Sequence, residues 1–523
     1  MKSLLSKLNS WRTRRHIARL ARAVAARQPA AVQRPVVFFN ASARLGHLSL
    51  NAAFSQLAAW GLRLAGIPIV HFVCKRGMTH CVLGTNPDRP DAAPPCAACV
   101  AQSKRLYAGA EVRWFEYHQG RSLADSLSGR DLEQLRTFSY QGIPLGHLVL
   151  PALRWALRRH DLQDDEATRR LFREYILSAY SLGQEFTAFL DDVDPQAVVV
   201  FNGVMYPEAM ARWLAQQRGL RVVTHEVGLR PFSAFFTDGE ATAYPMHIPR
   251  DFRLNEEQNA RLDAYLEQRF QGQFTMAGIQ FWPEMQGLDE RLLGEMGHFQ
   301  RMVPVFSNVI FDTSQVHANK LFRHMFAWLD YVLEQIKAHP ETLFVIRAHP
   351  DEQRPGKRSR QSVADWVRAN RVDELQNVVF YDSQDYVSSY ALIQKAHFVM
   401  VYNSSIGLEA SIMGKPVLCA GAARYTQYQT VFYPESQSAY EKLLKVFLQS
   451  GSVAQPEEYV REARRVFYFQ LFRTSLPFED YLDAYSPGYV HLKHFPAEAL
   501  HPDQSAAIQA IYEGLVADEP FLV

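Results

Sequence analysis

Residues 397–425, HFVMVYNSSIGLEASIMGKPVLCAGAARY, read as strand, polar turn, helix and strand in succession. His397 to Val401 is a short apolar run, Asn403, Ser404 and Ser405 form the turn, Gly407 to Met413 continue as a helix, and Pro416 to Ala420 are again apolar. Such a strand-helix-strand unit belongs in a parallel sheet with its polar turn at the carboxyl edge. Upstream, Thr342 to Glu352, TLFVIRAHPDE, is a buried strand ending on Arg347, His349 and Pro350. It places a second polar cluster at the same edge. Val303 to Phe311 and Val378 to Tyr381 supply further strands of this series.

Working outward, the pattern also occurs nearer the start of the chain. Val36 to Phe39 is followed by the polar segment Asn40 to His47, a helical stretch to about Ala65, and the apolar run Ile67 to Val73. Val112 to Tyr117, a helical region over 120–190, Ala197 to Phe201, a helix over Pro207 to Arg218, and Arg221 to His225 complete it. The chain is therefore expected to be α/β, with two Rossmann-like domains facing a cleft. The predicted order is a basic amphipathic helix over 1–34, a first domain over 35–245, a polar helical connector over 246–300 interrupted by Pro249 and Pro283, a second domain over 301–435, and C-terminal helices over 436–523. A cleft between two such halves is a common place for a ligand.

With 523 residues, 48% of them hydrophobic and 21% charged, the chain can bury several cores. Its 56 basic and 54 acidic side chains nearly cancel, yet every carboxylate lies at or after Asp88, and residues 1–87 hold 13 basic ones. No run approaches the roughly 20 apolar residues of a spanning helix. Arginines recurring up to Arg27 break any secretory apolar core, which points to the cytosol. An organellar transit peptide is the weaker reading of that basic start. Within 1–28, Leu4, Leu8, Trp11, Ile17, Leu20, Ala21 and Val24 form an apolar stripe, with arginines filling much of the remainder. Such a helix can lie on an anionic membrane surface, here the inner face of the cytoplasmic membrane, or it can pack on the first domain with a basic outer face. Nucleic acid is not expected as a partner, because the rest of the chain is net acidic and carries no nucleic-acid module.

Four of the five cysteines, Cys74, Cys81, Cys96 and Cys99, form a C-x6-C-x14-C-x2-C cluster in loop 74–99. Four thiolates complete the tetrahedral shell of a structural zinc ion, and the intervening Gly84, Pro90, Pro94 and Pro95 describe a loop with little core of its own. An iron–sulfur cluster, disulfides and unligated thiols are the competing readings, with His71 and His80 as substitute ligands. Cys419, within an apolar strand, reads as a core residue.

In the second domain, the hydroxyls of Ser404 and Ser405 and the free amides at a helix start can grip a phosphate, and Gly407 permits close backbone approach. His349, on an adjacent strand end, can donate to the same phosphate oxygen. Read singly, Ser404 is an N-cap, Glu409 a first-turn acid and His-Pro a turn. Together at matching strand ends they mark a ligand site.

RAHPDE, YNSSIGLEASIMGKPV and the following GAARY resemble the nucleotide-binding half of bacterial capsule polysaccharide biosynthesis and related surface-carbohydrate glycosyltransferases of GT-B fold. The His-Pro and Ser-Ser elements are also similar to those of bacterial sialyltransferases and Kdo transferases. The resemblance spans roughly 300–430, and more thinly 195–230. It implies a nucleotide-sugar donor, possibly CMP-linked as in CMP-Kdo, and a surface polysaccharide or lipid-linked glycan acceptor. By it, His349, Pro350, Ser404 and Ser405 flank the donor phosphate, and Glu409 faces the ribose or the sugar; the strand and helix ends themselves add Arg347, Asn403 and Gly407 as donor-site candidates. The cysteine cluster has no counterpart in the resemblance. Inverting transfer would need a base in the first half. Glu226 is the preferred candidate, with His225, His47 and Glu208 as alternatives and a salt bridge to Arg230 as the competing reading of Glu226. A nucleotide-sugar epimerase, a CDP-glycerol-type glycerophosphotransferase and a non-enzymatic glycan-assembly protein remain alternative functions.

Overall fold

Runs of β-branched and aromatic residues too short for helices become the central strands, and their burial on both faces makes the sheets parallel. A computed structural model describes residues 15–27, 33–41, 48–272, 286–354 and 356–523. The first sheet runs in the order Leu476–Pro477, Ser233–Thr237, Arg221–Val227, Ala197–Phe201, Val36–Asn40, Ile69–Cys74 and Glu111–Phe115. The five strands from Arg221–Val227 to Glu111–Phe115 pair in parallel, and the two at the other edge pair antiparallel. The second sheet is wholly parallel, in the order Val378–Tyr381, Thr342–Arg347, Arg301–Phe306, Val399–Val401 and Val417–Cys419.

Helices cover both faces of each sheet. Leu50–Leu64, capped by Ser49, lies on one face of the first sheet, and the long helix Glu166–Val193 on the other. Met325–Ala338 and Gln437–Gln449 cover one face of the second sheet, and Glu256–Phe270 with Glu457–Phe472 the other. The connector helix Glu256–Phe270 starts at a capping box between Asn255 and Gln258. Pro283 lies outside the described residues.

Two expectations change on packing. The segment after 436 holds the expected helices, Gln437–Gln449, Glu457–Phe472 and Ala506–Val516, but they pack into the cores of the two halves and do not stand apart. Beyond Phe472 the chain returns to the first half, adds the edge strand Leu476–Pro477, and forms a small antiparallel sheet from Leu482–Ser486, Tyr489–Leu492 and Leu48–Ser49. Its last helix, Ala506–Val516, buries Ala507, Ile508 and Ile511 in the core that also holds Phe54, Leu57 and Leu62. The second change concerns the N-terminal stripe, of which residues 1–14 lie outside the described part. Residues 15–25 are helical, and Ile17, Leu20, Ala21 and Val24 are buried in that same core, so these positions are not free to enter a membrane. Arg15, Arg19, Arg22 and Arg27 stay exposed, and Arg27 pairs with Glu498 at 3.0 Å. No helix among the described residues is long and apolar enough to cross a membrane.

The returning tail meets the Leu50–Leu64 helix at Gly61, where a Cβ would stand 2.3 Å from Ile508 Cγ2 and 2.9 Å from the Leu500 carbonyl oxygen. Gly61→Val is expected to destabilise the protein by ~1–3 kcal/mol through overpacking, read as a lower urea midpoint with an unchanged slope.

Candidate functional site

Register brings the polar strand ends together. Phe306 is level with both Arg347 and Val401, so two residues further on Asn308, His349 and Asn403 reach the carboxyl edge side by side. The strand order reverses here: from Arg301–Phe306 the next strand in sequence lies on one side and Val399–Val401 on the other. Ligands of open α/β sheets bind at such a switch point. The Asn403 backbone N–H donates to Asn308 Oδ1 at 3.4 Å, and Gln315 Nε2 donates to Asn403 Oδ1 at 2.9 Å, bracing the pair.

A cavity of about 540 Å³ opens above them. Asn308, His349, Asn403, Ser404 and Ser405 form its floor, while Thr242, Ala243 and Pro245 of the first half face them. His349 is half-buried, and its Nδ1 accepts the Asp351 backbone N–H at 3.1 Å. An acceptor Nδ1 places the ring proton on Nε2. Burial lowers the imidazole below its ordinary pKa, against the opposing pull of Asp351 and Asp312, so the ring is a neutral donor near pH 7. Ser405 precedes the helix Ile406–Ile412 without capping it by its side chain. The Ser404 carbonyl accepts from Tyr425 Oη at 2.6 Å.

Other charged groups line the same space: His317, Lys320 and Arg424, with the carboxylates Asp312 and Asp351. His317 Nε2 lies 2.7 Å from Thr242 Oγ1 and 3.3 Å from Glu240, tying the second half to the first. The Arg424 guanidinium stacks over Tyr244 at 4.0 Å, and its Nη1 is buried with no hydrogen-bond partner in the protein. A buried cationic donor held this way at a cavity wall suits an anionic ligand.

Several expected contacts are absent from the cavity wall. Glu409 is 1% exposed, and its carboxylate takes both Arg269 Nε and Nη2 at 2.9 Å together with Tyr390 Oη. It therefore faces the connector helix instead of a ribose or a sugar. Gly407 is small because a Cβ would stand 2.4 Å from Tyr425 Oη, so its role is packing rather than close approach to a ligand. Arg347 is 2% exposed and donates to the Asp382 carbonyl from beneath the site. Pro350 opens the short turn Pro350–Gln353 next to the cavity without lining it.

The base candidates lie in the first half. Glu226 is half-buried near the end of Arg221–Val227, and it accepts from Asn202 Nδ2 at 3.0 Å, Asn51 Nδ2 at 3.4 Å and the Val227 amide at 2.9 Å. Arg230 pairs instead with Glu479 at 3.2 Å. Asn202 follows the strand Ala197–Phe201, which borders the switch point of the first sheet. Tyr244 Oη donates to the carbonyl of Val227, the residue after Glu226, and its ring carries the Arg424 guanidinium. His225 is fully buried against Phe236, Glu208 opens the helix Glu208–Gln217, and His47 lies outside the described residues. Cys74, Cys81, Cys96 and Cys99 together line a separate small cavity in the first half.

Sequence reading missed Asn308, Asp312, His317, Lys320 and Arg424. Asn308 had a signal, lying two residues past a strand in register with His349. Of the rest, His317 falls in the short helix Gln315–Ala318 and the others in loops, and only tertiary folding brings them to the cavity.

The site defines a class: a two-sheet α/β protein with its ligand cavity at the switch point of the second sheet, closed by the first half. Residues 288–428 match the family described as capsule polysaccharide biosynthesis protein. No curated protein sequence matches the chain. Among solved structures, the KpsC beta Kdo 2,4 transferase of Thermosulfurimonas dismutans aligns at 12% identity and a TM-score of 0.35, covering 54% of this chain and 80% of that one. The beta Kdo 2,7 transferase of the same organism aligns at 16% identity and a TM-score of 0.33, over 64% and 90%. UDP-GlcNAc 2-epimerase from Neisseria meningitidis aligns at 13% and 0.25, over 84% and 99%. At TM-scores this low the likenesses carry no functional inference.

Two measurements probe the supports of the site. Arg269→Ala leaves the Glu409 carboxylate buried and uncompensated, and is expected to cost ~3–5 kcal/mol in chemical denaturation. Glu352, fully buried, accepts the Val363 amide at 3.2 Å on both oxygens, and burial raises it from 4.5 to about 8. The folded state thus holds this proton more tightly than the unfolded one. Its stabilisation is complete below about pH 4.5 and is lost as the pH rises to about 8. Glu352→Gln is expected to flatten the fall of Tm across that window.

Proposed function

We propose that the protein is a glycosyltransferase of GT-B architecture that moves a sugar from a nucleotide-sugar donor, CMP-linked as in CMP-Kdo, to a surface polysaccharide or lipid-linked glycan. The observation that carries this reading is the cavity at the second sheet's switch point, where neutral His349, two serine hydroxyls and the spare Nη1 of Arg424 converge within the segment of the family match. At about 540 Å³ it has the size of a small-molecule site.

In the transfer the acceptor hydroxyl attacks the anomeric carbon and the bond from that carbon to the donor phosphate oxygen breaks. The electron pair leaves on the phosphate, where His349 Nε2–H, the Ser404 and Ser405 hydroxyls and Arg424 stabilise the growing charge. The acceptor proton passes to Glu226. Asn51 and Asn202 orient this carboxylate through their side-chain amides. Membrane association follows from the exposed face of Arg15, Arg19 and Arg22, which would hold the protein on an anionic cytoplasmic surface by charge alone.

A thermal-shift panel of CMP, CDP, UDP and GDP is expected to show stabilisation by CMP that His349→Ala removes; stabilisation by none of the four would sink the donor site. Glu226→Gln is expected to keep the nucleotide shift and lose transfer by ~10²–10⁴-fold. Replacing Arg15, Arg19 and Arg22 by Gln is expected to abolish sedimentation with anionic liposomes at low salt, and high salt to release the wild-type protein.

A further inference from the structure

We propose that Cys74, Cys81, Cys96 and Cys99 bind one structural zinc ion that clamps loop 74–99 onto the first half and supports its reach to the second. The four side chains come from three places: the end of the strand Ile69–Cys74, the following loop, and the first turn of the helix Cys96–Leu106. They line one cavity of about 20 Å³ with Met78, Pro94, Pro95 and Arg76. That volume suits a single ion and is too small for a substrate. None of the four is in a disulfide.

Two of them sit in turns built to present sulfur as an acceptor. The Gly77 amide donates to Cys74 Sγ at 3.3 Å, and the Gly84 amide to Cys81 Sγ at 3.2 Å, each from three residues downstream. Arg76, with φ of 59°, makes the first of these turns. At Gly84 a Cβ would stand 2.6 Å from Pro94 Cβ and 2.8 Å from Cys81 Sγ, so only glycine fits. Amides aimed at sulfur leave each side chain oriented as an acceptor toward the shared cavity. Zinc binding displaces the thiol protons to solvent, and the doubly negative four-thiolate complex would face the guanidinium of Arg76.

No three of the sulfurs reach the mutual spacing of 4.8 Å that His160, Asp161 and His324 show among the described residues, so zinc–sulfur bonds of ~2.3 Å would draw the shell inward. The histidine group is the poorer metal site. His324 Nδ1 accepts the Ala327 amide at 3.2 Å, and the exposed Asp161 is engaged by Gln361 at 2.6 Å.

The loop needs such a clamp. Between Lys75 and Pro95 it has no helix or strand, and only Met78 and Val82 bury large apolar side chains. Its other anchors are few: the Thr79 amide on Ser178 Oγ at 3.0 Å, Thr85 Oγ1 against Tyr175 Oη at 2.8 Å, and Tyr206 Oη on the His80 carbonyl. Beyond them Asp88 forms an ion pair with Arg360 of the second half. A fixed loop thus carries a contact between the two halves.

The test is elemental analysis of the full chain purified without added metal, with release of zinc by a mercurial thiol reagent followed by a chromogenic chelator. About one zinc per chain is expected, freed as the thiols are modified, and Cys81→Ser and Cys96→Ser are each expected to fall at least tenfold in zinc content. In the wild-type protein, stripping the metal is expected to open tryptic cleavage at Lys75 and Arg76 while the thermal shift with CMP persists. Should a serine variant fail to fold, the wild-type stoichiometry and release still decide. Metal-free protein with four titratable thiols, a mapped disulfide among these cysteines, or iron with visible absorption would each overturn the proposal.

Discussion

Three parallel strands held in one register govern the chemistry of this molecule. The alignment of Phe306 with Arg347 and with Val401 brings Asn308, His349 and Asn403 to one height at the sheet edge. A slip of one residue in any of the three would turn a polar group into the core and an apolar one into the cavity. Because both faces of this sheet are packed, with Val303, Val305, Phe344, Ile346 and Met400 buried on one and Leu343, Val345, Val399 and Val401 on the other, the register is strongly specified. The site is therefore as rigid as the core beneath it, and its adaptable parts are the loops that carry Asp312, Lys320 and Arg424.

The ion pair of Arg269 and Glu409 shows how far the connector belongs to the second half. Both side chains are almost wholly buried, and the guanidinium meets the carboxylate through two nitrogens. The connector helix is thereby joined to the helix that follows the two serines. A charge pair at this depth is weak support for stability against an apolar alternative, yet it permits a single arrangement of its two helices. The serines gain a fixed platform in consequence.

Strand positions were legible because each is a short run of β-branched or aromatic residues closed by a polar turn. Ala197–Phe201, Thr342–Arg347 and Val378–Tyr381 stand where the sequence places them. His349, Asn403, Ser404 and Ser405 were legible at the cavity for the same reason, since strand ends in a parallel sheet share one edge. Glu409 and Gly407 were not, because a helix start shows which residues are near a turn but not which face of the helix is buried. Arg269, the partner that turns Glu409 inward, lies 140 positions away in a segment without periodic apolar signal. The N-terminal stripe was legible as a stripe, while its destination was not: a helix that packs on a core and one that lies on lipid have the same spacing. The edge strand Leu476–Pro477 is two residues long, below what any pattern reveals.

The return of the chain to the first sheet also sets an order of folding. Phe478, Leu482, Ile508 and Ile511 fill the same core as Val36, Phe38 and Leu57, so the earlier half is completed by residues made after the later one. The second half lies between them and has its strands and covering helices from residues 256 to 472 alone. It can close on contacts within itself as soon as they leave the ribosome, whereas the first half must leave the apolar side of Leu50–Leu64 uncovered until the tail arrives. During synthesis that uncovered helix is the surface most exposed to misassembly, and the part of the nascent chain with most to gain from a chaperone.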